Sequence, residues 1–411
     1  MGITRQTKPD GSIGSETLTC DYFIFRGLQC DVDRLRAALV AAVSVHDALH
    51  SRYRLHPQQG PGYQTYPVDG RQLLEVVHLG SDTFEAVRQA AEELVQQYLS
   101  RKNDLRHDPV VRFTCVAAAG GETFALVMKM DHTVCDGLSL QSFLADVADA
   151  YSQTEPAAWA RHQVRPRLQQ IAAEEQEYLA AAERAELRSE WHALLPHGIP
   201  ELKLNVDEPF GQAPPEGGAF AVQETGPRYQ SFKEEARRRR MTSFALAAAK
   251  VMEALQPAVV GGELYFFSPM PGRFVPSATG AVGNFVNLLP VLIEPFLAKP
   301  GGFFEAVRAA VVWTLTHQAY PFDQLHAATT PTQSIADTYP NRRRSIFIAG
   351  MTPFTFALNG VSPIRRQADS GSPLFDFSLW VTDTRTSLEL EVIHRSAWVP
   401  EQQVRSWLDA I

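Results

Sequence analysis

The chain has 411 residues, 45% hydrophobic and 20% charged, and its 38 Lys plus Arg against 46 Asp plus Glu leave a formal net charge of −8. At roughly 100–200 residues per domain this excludes disorder as the main state and points to two or three domains, each able to bury a core. A net acidic chain with only short basic runs such as Arg237–Arg240 lacks the electropositive face of a nucleic-acid binder.

From the N-terminus, Met1 to Gly11 contains Lys8, Pro9 and Asp10 and holds no apolar stretch of signal-peptide length, while Gln6 breaks the myristoylation pattern. Val32, Leu35, Leu39, Ala42 and Val43 share one face behind Asp31, which predicts a capped amphipathic helix over 32–45. A second helix is expected over 83–100. The runs Val110–Ala118 and Thr123–Met130, parted by Gly120-Gly121, predict a hairpin. Beyond it Leu140, Phe143, Leu144, Val147 and Tyr151 recur at helical spacing, so the order around residue 132 is strand, polar turn, helix. An Ala- and Glu-rich helix is expected from Leu168 to Leu195, followed by a Pro- and Gly-rich boundary that includes Glu208–Pro227. Further on, a helix over 233–256, strands at Glu263–Ser268 and Phe285–Ile293, a helix over 303–317, strands over 345–351, 374–382 and 387–393 and a short helix over 400–410 predict a second mixed lobe. The apolar window near Val282–Ala298 is interrupted by Asn284, Asn287, Pro290 and Glu294, so no membrane span is expected and a cytoplasmic location is the reading.

The four cysteines, Cys20, Cys30, Cys115 and Cys135, form no Cys-x-x-Cys pair, which argues against a disulfide framework or structural zinc and for a reduced compartment. The segment Asp131-His132-Thr133-Val134-Cys135-Asp136-Gly137 is the strongest local signal for chemistry. An imidazole in a short turn at a strand end is held by the scaffold yet accessible, and its ordinary pKa of about 6.5 leaves it able to take a proton at neutral pH. The competing reading is a hydrogen-bonded structural histidine, one of 12 in the chain. No nearby His or Cys pair completes a metal site with His132, Cys135 and Asp136, and a thiol at an apolar strand–helix junction is more often inert than nucleophilic.

The same residues resemble the His-His-x-x-x-Asp-Gly motif of nonribosomal peptide synthetase condensation domains, within the chloramphenicol-acetyltransferase-like acyltransferases. Other segments are similar in the same order: Val45-His46-Asp47-Ala48-Leu49-His50-Ser51-Arg52-Tyr53; Pro271-Gly272-Arg273; Val282-Gly283-Asn284-Phe285-Val286-Asn287-Leu288 against Gly-x-Phe-Val-Asn-Thr; His317-Gln318-Ala319-Tyr320-Pro321-Phe322-Asp323; Arg343 with Ile346-Phe347; and Phe375-Asp376-Phe377-Ser378-Leu379. The resemblance is nearly full length. It implies an α/β (α+β) fold of two acetyltransferase-like lobes forming a V around a central substrate tunnel. The lobes would be residues 1–165, carrying the motif, and 201–411, joined by a helical connection over 166–200.

The activity implied is that of a free-standing condensation enzyme. An acyl, peptidyl or polyketide chain, held as a thioester on the phosphopantetheine arm of a carrier protein supplied in trans, would pass to a small amine or alcohol. The protein itself would be a monomer with no metal or bound cofactor. His132 would orient or deprotonate the acceptor, Asp136 would hold the loop against a cation, Gly137 would allow a close turn beside the oxyanion, and Asn287 and Ser378 would line the tunnel. Two departures stand out: Asp131 replaces the first histidine, and His50 replaces the arginine that would pair with Asp136. Arg52, Arg273 or a protonated His50 are the candidate partners. The runner-up readings are an acyltransferase using coenzyme A thioesters or acylating polyketide or lipid alcohols, and an inactive carrier-binding module. Arg237–Arg240 and Arg342–Arg344 are candidate docking cations.

Overall fold

A computed structural model describes residues 14–15, 18–56, 60–101, 103–181, 183–200, 202–204, 217–298, 300–329, 345–368, 375–395 and 399–411. The larger sheets use β1 (Leu18–Arg26), β2 (Leu74–His78), β3 (Val111–Ala117), β4 (Thr123–Asp131), β5 (Gly217–Glu224), β6 (Tyr265–Met270), β7 (Asn287–Leu292), β8 (Ile346–Met351), β9 (Ile364–Ala368), β10 (Phe377–Asp383) and β11 (Leu388–Arg395). The principal helices are α1 (Val32–Ser44), α2 (Phe84–Ser100), α3 (Gly137–Ser152), α4 (Leu168–Ala180), α5 (Glu183–Leu194), α6 (Gly226–Arg239), α7 (Ser243–Leu255), α8 (Gly302–Thr316) and α9 (Glu401–Leu408). The result is a mixed α/β fold with two compact units that interleave along the chain. One comprises Met1–Gln176, Arg273–Phe285 and Phe354–Ser370; the other comprises Glu177–Gly272, Val286–Pro353 and Gly371–Ile411.

In the first unit a five-stranded sheet has the order β9-β1-β4-β3-β2. Pairing is antiparallel except between β2 and β3. β4 lies in the middle, and its period-2 pattern is apolar on both faces. Phe124, Leu126, Met128 and Met130 join the core that includes Leu35 and Leu39 of α1 and Phe143, Leu144 and Val147 of α3. Ala125 and Val127 face Val87, Ala91 and Val95 of α2. A strand buried on both sides cannot slip by one residue without burying the wrong set, so the register that ends β4 at Asp131 is strongly specified. Side-chain caps fix the helix starts: Asp31 Oδ1 accepts from the Arg34 N–H at 2.9 Å, and Thr83 Oγ1 from the Ala86 N–H at 3.2 Å. The edge strand β9 is joined to β1 by its ladder and by Arg365 on the buried Asp21 at 3.0 Å.

The second unit carries a six-stranded sheet, β5-β11-β10-β8-β6-β7, with parallel pairing at β6–β8 and β8–β10. Among the described residues its core gathers α7, buried nearly all round through Leu246, Ala249, Val251 and Met252, against Phe266, Ile348 and Leu379. Three expectations change here. The helix expected over 233–256 is two helices, because Arg240 adopts a left-handed conformation (φ 56°, ψ 41°) and the Met241 N–H returns to Ala236 O at 2.9 Å. The helix expected from Leu168 to Leu195 is α4 and α5. Residues 217–224, read as part of a Pro- and Gly-rich boundary, form β5, paired residue for residue with β11. Arg342–Arg344 and most of Met1–Thr19 lie outside the described residues. Among the described residues no helix is long and apolar enough to cross a membrane.

Candidate active site

β4 ends at Asp131 and α3 begins at Gly137, and the five residues between them form the turn that carries His132. Asp131, at the position of the family's first histidine, is fully buried, and its Oδ1 accepts the Thr133 N–H at 2.9 Å. Its carboxylate therefore caps the turn. His132, next in sequence, is exposed. Val134 and Cys135 point back into the core, and burial, then the charge of Asp136, pushes the Cys135 thiol well above its ordinary pKa. A thiol held protonated in this way is a poor nucleophile, as the sequence suggested.

Asp136 is the N-cap of α3, and its carboxylate is 2% exposed. Four donors meet it. Oδ1 accepts the Ser139 N–H at 2.8 Å and Arg273 Nη2 at 2.9 Å; Oδ2 accepts Arg273 Nη1 at 2.9 Å and the Phe285 N–H at 3.0 Å. A buried carboxylate needs such compensation, and the two-pronged guanidinium supplies charge and geometry together. Arg273 lies over the Phe285 ring at 4.6 Å and donates to Ser139 Oγ at 2.7 Å. Ser139 Oγ in turn donates to Gly283 O at 2.6 Å and accepts the Gly283 N–H at 3.0 Å. The segment 273–285 is thus stitched to the first turn of α3.

Of the three candidate cations, Arg273 is the partner of Asp136. His50 bonds instead through Nδ1 to Tyr66 O at 2.9 Å, and Arg52 lies over the Tyr66 ring at 5.1 Å. Gly137 opens α3 without a positive φ, so the position does not depend on glycine's left-handed freedom. With Leu138 it is exposed in the first helical turn, where N–H groups lack an intrahelical acceptor. Asn284, which the sequence reading quoted in a motif without giving it a role, donates from Nδ2 to His132 O at 2.8 Å and approaches Nδ1 at 3.4 Å.

The structure therefore brings His132, Asp136 and Gly137 together with Arg273 and Asn284. The other two predicted residues lie in the second unit. Asn287 donates from Nδ2 to the carbonyls of Gln318 and Tyr320 at 2.8 and 2.7 Å, and its Oδ1 accepts the Phe322 N–H at 3.0 Å. It clamps the 318–322 loop to the start of β7. Ser378 is buried in β10 between Phe347 of β8 and Ile393 of β11. Of the basic run, Arg239 pairs with Glu235 at 2.8 Å and lies over Phe304 at 3.9 Å, while Arg238 is largely exposed.

Mixed α/β units and an exposed histidine in a turn closed by a buried, arginine-held aspartate are the features that the condensation-domain resemblance implies. The chain belongs to the condensation-domain family: the family model described as Condensation domain matches residues 22–410. It is 25% identical to tyrocidine synthase 3 of Brevibacillus parabrevis over 305 residues, 74% of this chain and 4% of that protein. It is also 25% identical, over 376 residues, to a probable non-canonical nonribosomal peptide synthetase, CymA, of Salinispora arenicola, covering 87% of this chain and 4% of the relative. It thus spans only a small part of these curated relatives. Among solved structures, SgcC5 of Streptomyces globisporus covers 97% of this chain and 92% of its own, with 19% identity and a TM-score of 0.72.

Proposed function

We propose that the protein transfers an acyl, peptidyl or polyketide chain from the phosphopantetheine thioester of a carrier protein to an amine or alcohol, giving an amide or ester. The observation that carries this reading is that exposed His132 stands in the five-residue turn whose other end is held by the buried Asp136–Arg273 pair. In the reaction the acceptor nitrogen or oxygen attacks the thioester carbonyl, the new C–N or C–O bond forms, the C–S bond breaks, and the arm leaves as a thiol. His132 orients the acceptor or takes its proton. The backbone N–H of Gly137 or Leu138, two exposed residues in the first turn of α3, would donate to the tetrahedral oxyanion, where a fixed donor stabilises charge most. Asp136 and Arg273 act by holding the turn. SgcC5 has been solved with a naphthyl ethanediol, which makes small diols reasonable acceptors to include with amines.

The test mixes purified protein with acyl-loaded carrier and a panel of amines and alcohols, with product read by mass spectrometry. Loss of an acid–base or orienting imidazole removes on the order of 10²–10⁴ in rate, so His132→Ala should abolish detectable product. Equal yield from wild type and His132→Ala would sink the proposal. Turnover with free acyl-coenzyme A in place of the carrier would replace it with the coenzyme A reading, and carrier binding without turnover on any loaded carrier would make the chain a binding module.

A further inference from the structure

We propose that Asn284 is a positioning residue that keeps the proton of neutral His132 on Nε2, so that this side chain meets a bound substrate as a hydrogen-bond donor. The inference rests on the proposed acyl transfer and decides between the two roles left open there for the imidazole. Its ground is the double contact of one amide nitrogen, 2.8 Å from His132 O and 3.4 Å from Nδ1. A backbone carbonyl only accepts, so the asparagine atom facing it is the NH2 group. The opposite placement of the amide would set two acceptor oxygens against each other.

The same NH2 therefore faces Nδ1. A proton on Nδ1 would oppose donor to donor, whereas a bare Nδ1 offers its lone pair to the second amide hydrogen. Neutral imidazole divides donor and acceptor between its two nitrogens, so the proton resides on Nε2. An Nε2–H cannot take the acceptor's proton. It donates instead to the thioester carbonyl oxygen, where negative charge develops, and the acceptor's proton passes to the departing thiolate.

The neighbours of Asn284 fix it in place. Gly283 is bonded through both its N–H and its carbonyl to Ser139, and the Phe285 N–H reaches the Asp136 carboxylate. Asn284 itself is exposed.

The experiment uses ¹⁵N-histidine-labelled protein, with the His132 ring signals assigned by their loss in His132→Gln and recorded where histidines are neutral. Wild type should show a bare Nδ1 and a protonated Nε2. Asn284→Asp offers Nδ1 an acceptor and should move the proton to Nδ1; Asn284→Ala should leave it on Nε2 with a less restrained ring. In turnover of loaded carrier, Asn284→Asp should lower kcat by about tenfold or more. A carboxylate at this position would instead favour a general base, so the sign of the effect decides. The proposal is overturned by a wild-type proton on Nδ1, or by Asn284→Asp protein that carries it there and turns over as fast as wild type. If no variant, wild type included, turns over any loaded carrier, the acyl-transfer reading fails while the spectra still decide the tautomer. Thermal melts confirm that the exposed substitutions leave the fold intact.

Discussion

Removing the Arg273 guanidinium isolates a carboxylate that the protein cannot hydrate. Arg273→Met keeps much of the side-chain volume but deletes two bonds to Asp136, one to Ser139 Oγ and the stacking on Phe285. Asp136, 2% exposed in the native structure, then retains the Ser139 and Phe285 N–H groups. Breaking a buried pair from one side costs about 3–5 kcal/mol, and with two backbone donors remaining we expect about 3 kcal/mol. For a unit of roughly 200 residues each kcal/mol lowers Tm by about 2–4 °C, so the melting point should fall by about 6–12 °C.

Calorimetry on wild type, Arg273→Met, Asp136→Asn and the double variant measures this and closes a double-mutant cycle. Because both groups serve one cluster, their effects should be strongly non-additive, with a coupling of about 2 kcal/mol or more. A shift below about 2 °C for Arg273→Met, or additive effects, would refute the reasoning that the Asp136 charge is desolvated and held by this arginine.

Thiol reactivity tests the burial around the site. The Cys30 thiol is lowered by its contact with Cys115, Sγ to Sγ 3.4 Å, whereas burial pushes Cys20 up to about 12 and Cys135 well above its ordinary value. Limited alkylation of the native protein, read by peptide mass spectrometry, should therefore mark Cys30 first and Cys135 only on unfolding; equal labelling of the two contradicts the site geometry. Acid stability tests the second unit. Burial raises the Asp383 carboxyl, but bonds from Lys233, Ser243, the Arg385 N–H and Tyr229 outweigh it and hold the carboxyl well below its ordinary range. Its stabilisation is present above the unfolded carboxylate value of about 3.9 and is lost as pH falls through the depressed folded value. Asp383→Asn should flatten the decline in stability below about pH 4, and an unchanged acid limb in denaturant titrations would contradict the assignment.

Local signals made much of this fold legible. The cap at Asp31, the 3.6-residue spacing in α1 and α3, and the Gly120-Gly121 turn each act within a few residues, and α1 and α2 lie within a residue of the expected bounds. Strand, turn and helix around His132 were likewise readable, because the apolar pattern of β4 runs straight into the polar turn. Less visible was the end of α6, where Arg240 takes the left-handed position that glycine usually signals. Nor did composition reveal β5, since Gly217 and Gly218 argue for a loop until β11 supplies the ladder that makes them a strand.

By itself the sequence determined the helix and strand menu, the identity of His132, Asp136 and Gly137 as the chemically suggestive residues, and the family they resemble, because each depends on side chains close together along the chain. Only the tertiary structure decided which of three cations meets Asp136, that segments 273–285 and 354–370 belong with the first unit, and that Asn284 faces His132. Those choices join residues more than a hundred positions apart. Burial settles the Asp136 partner by demanding compensation for a buried charge, and the bonds of Gly283 and Phe285 to α3 carry exposed Asn284 to His132; no local pattern in the chain records which partner long-range packing will bring.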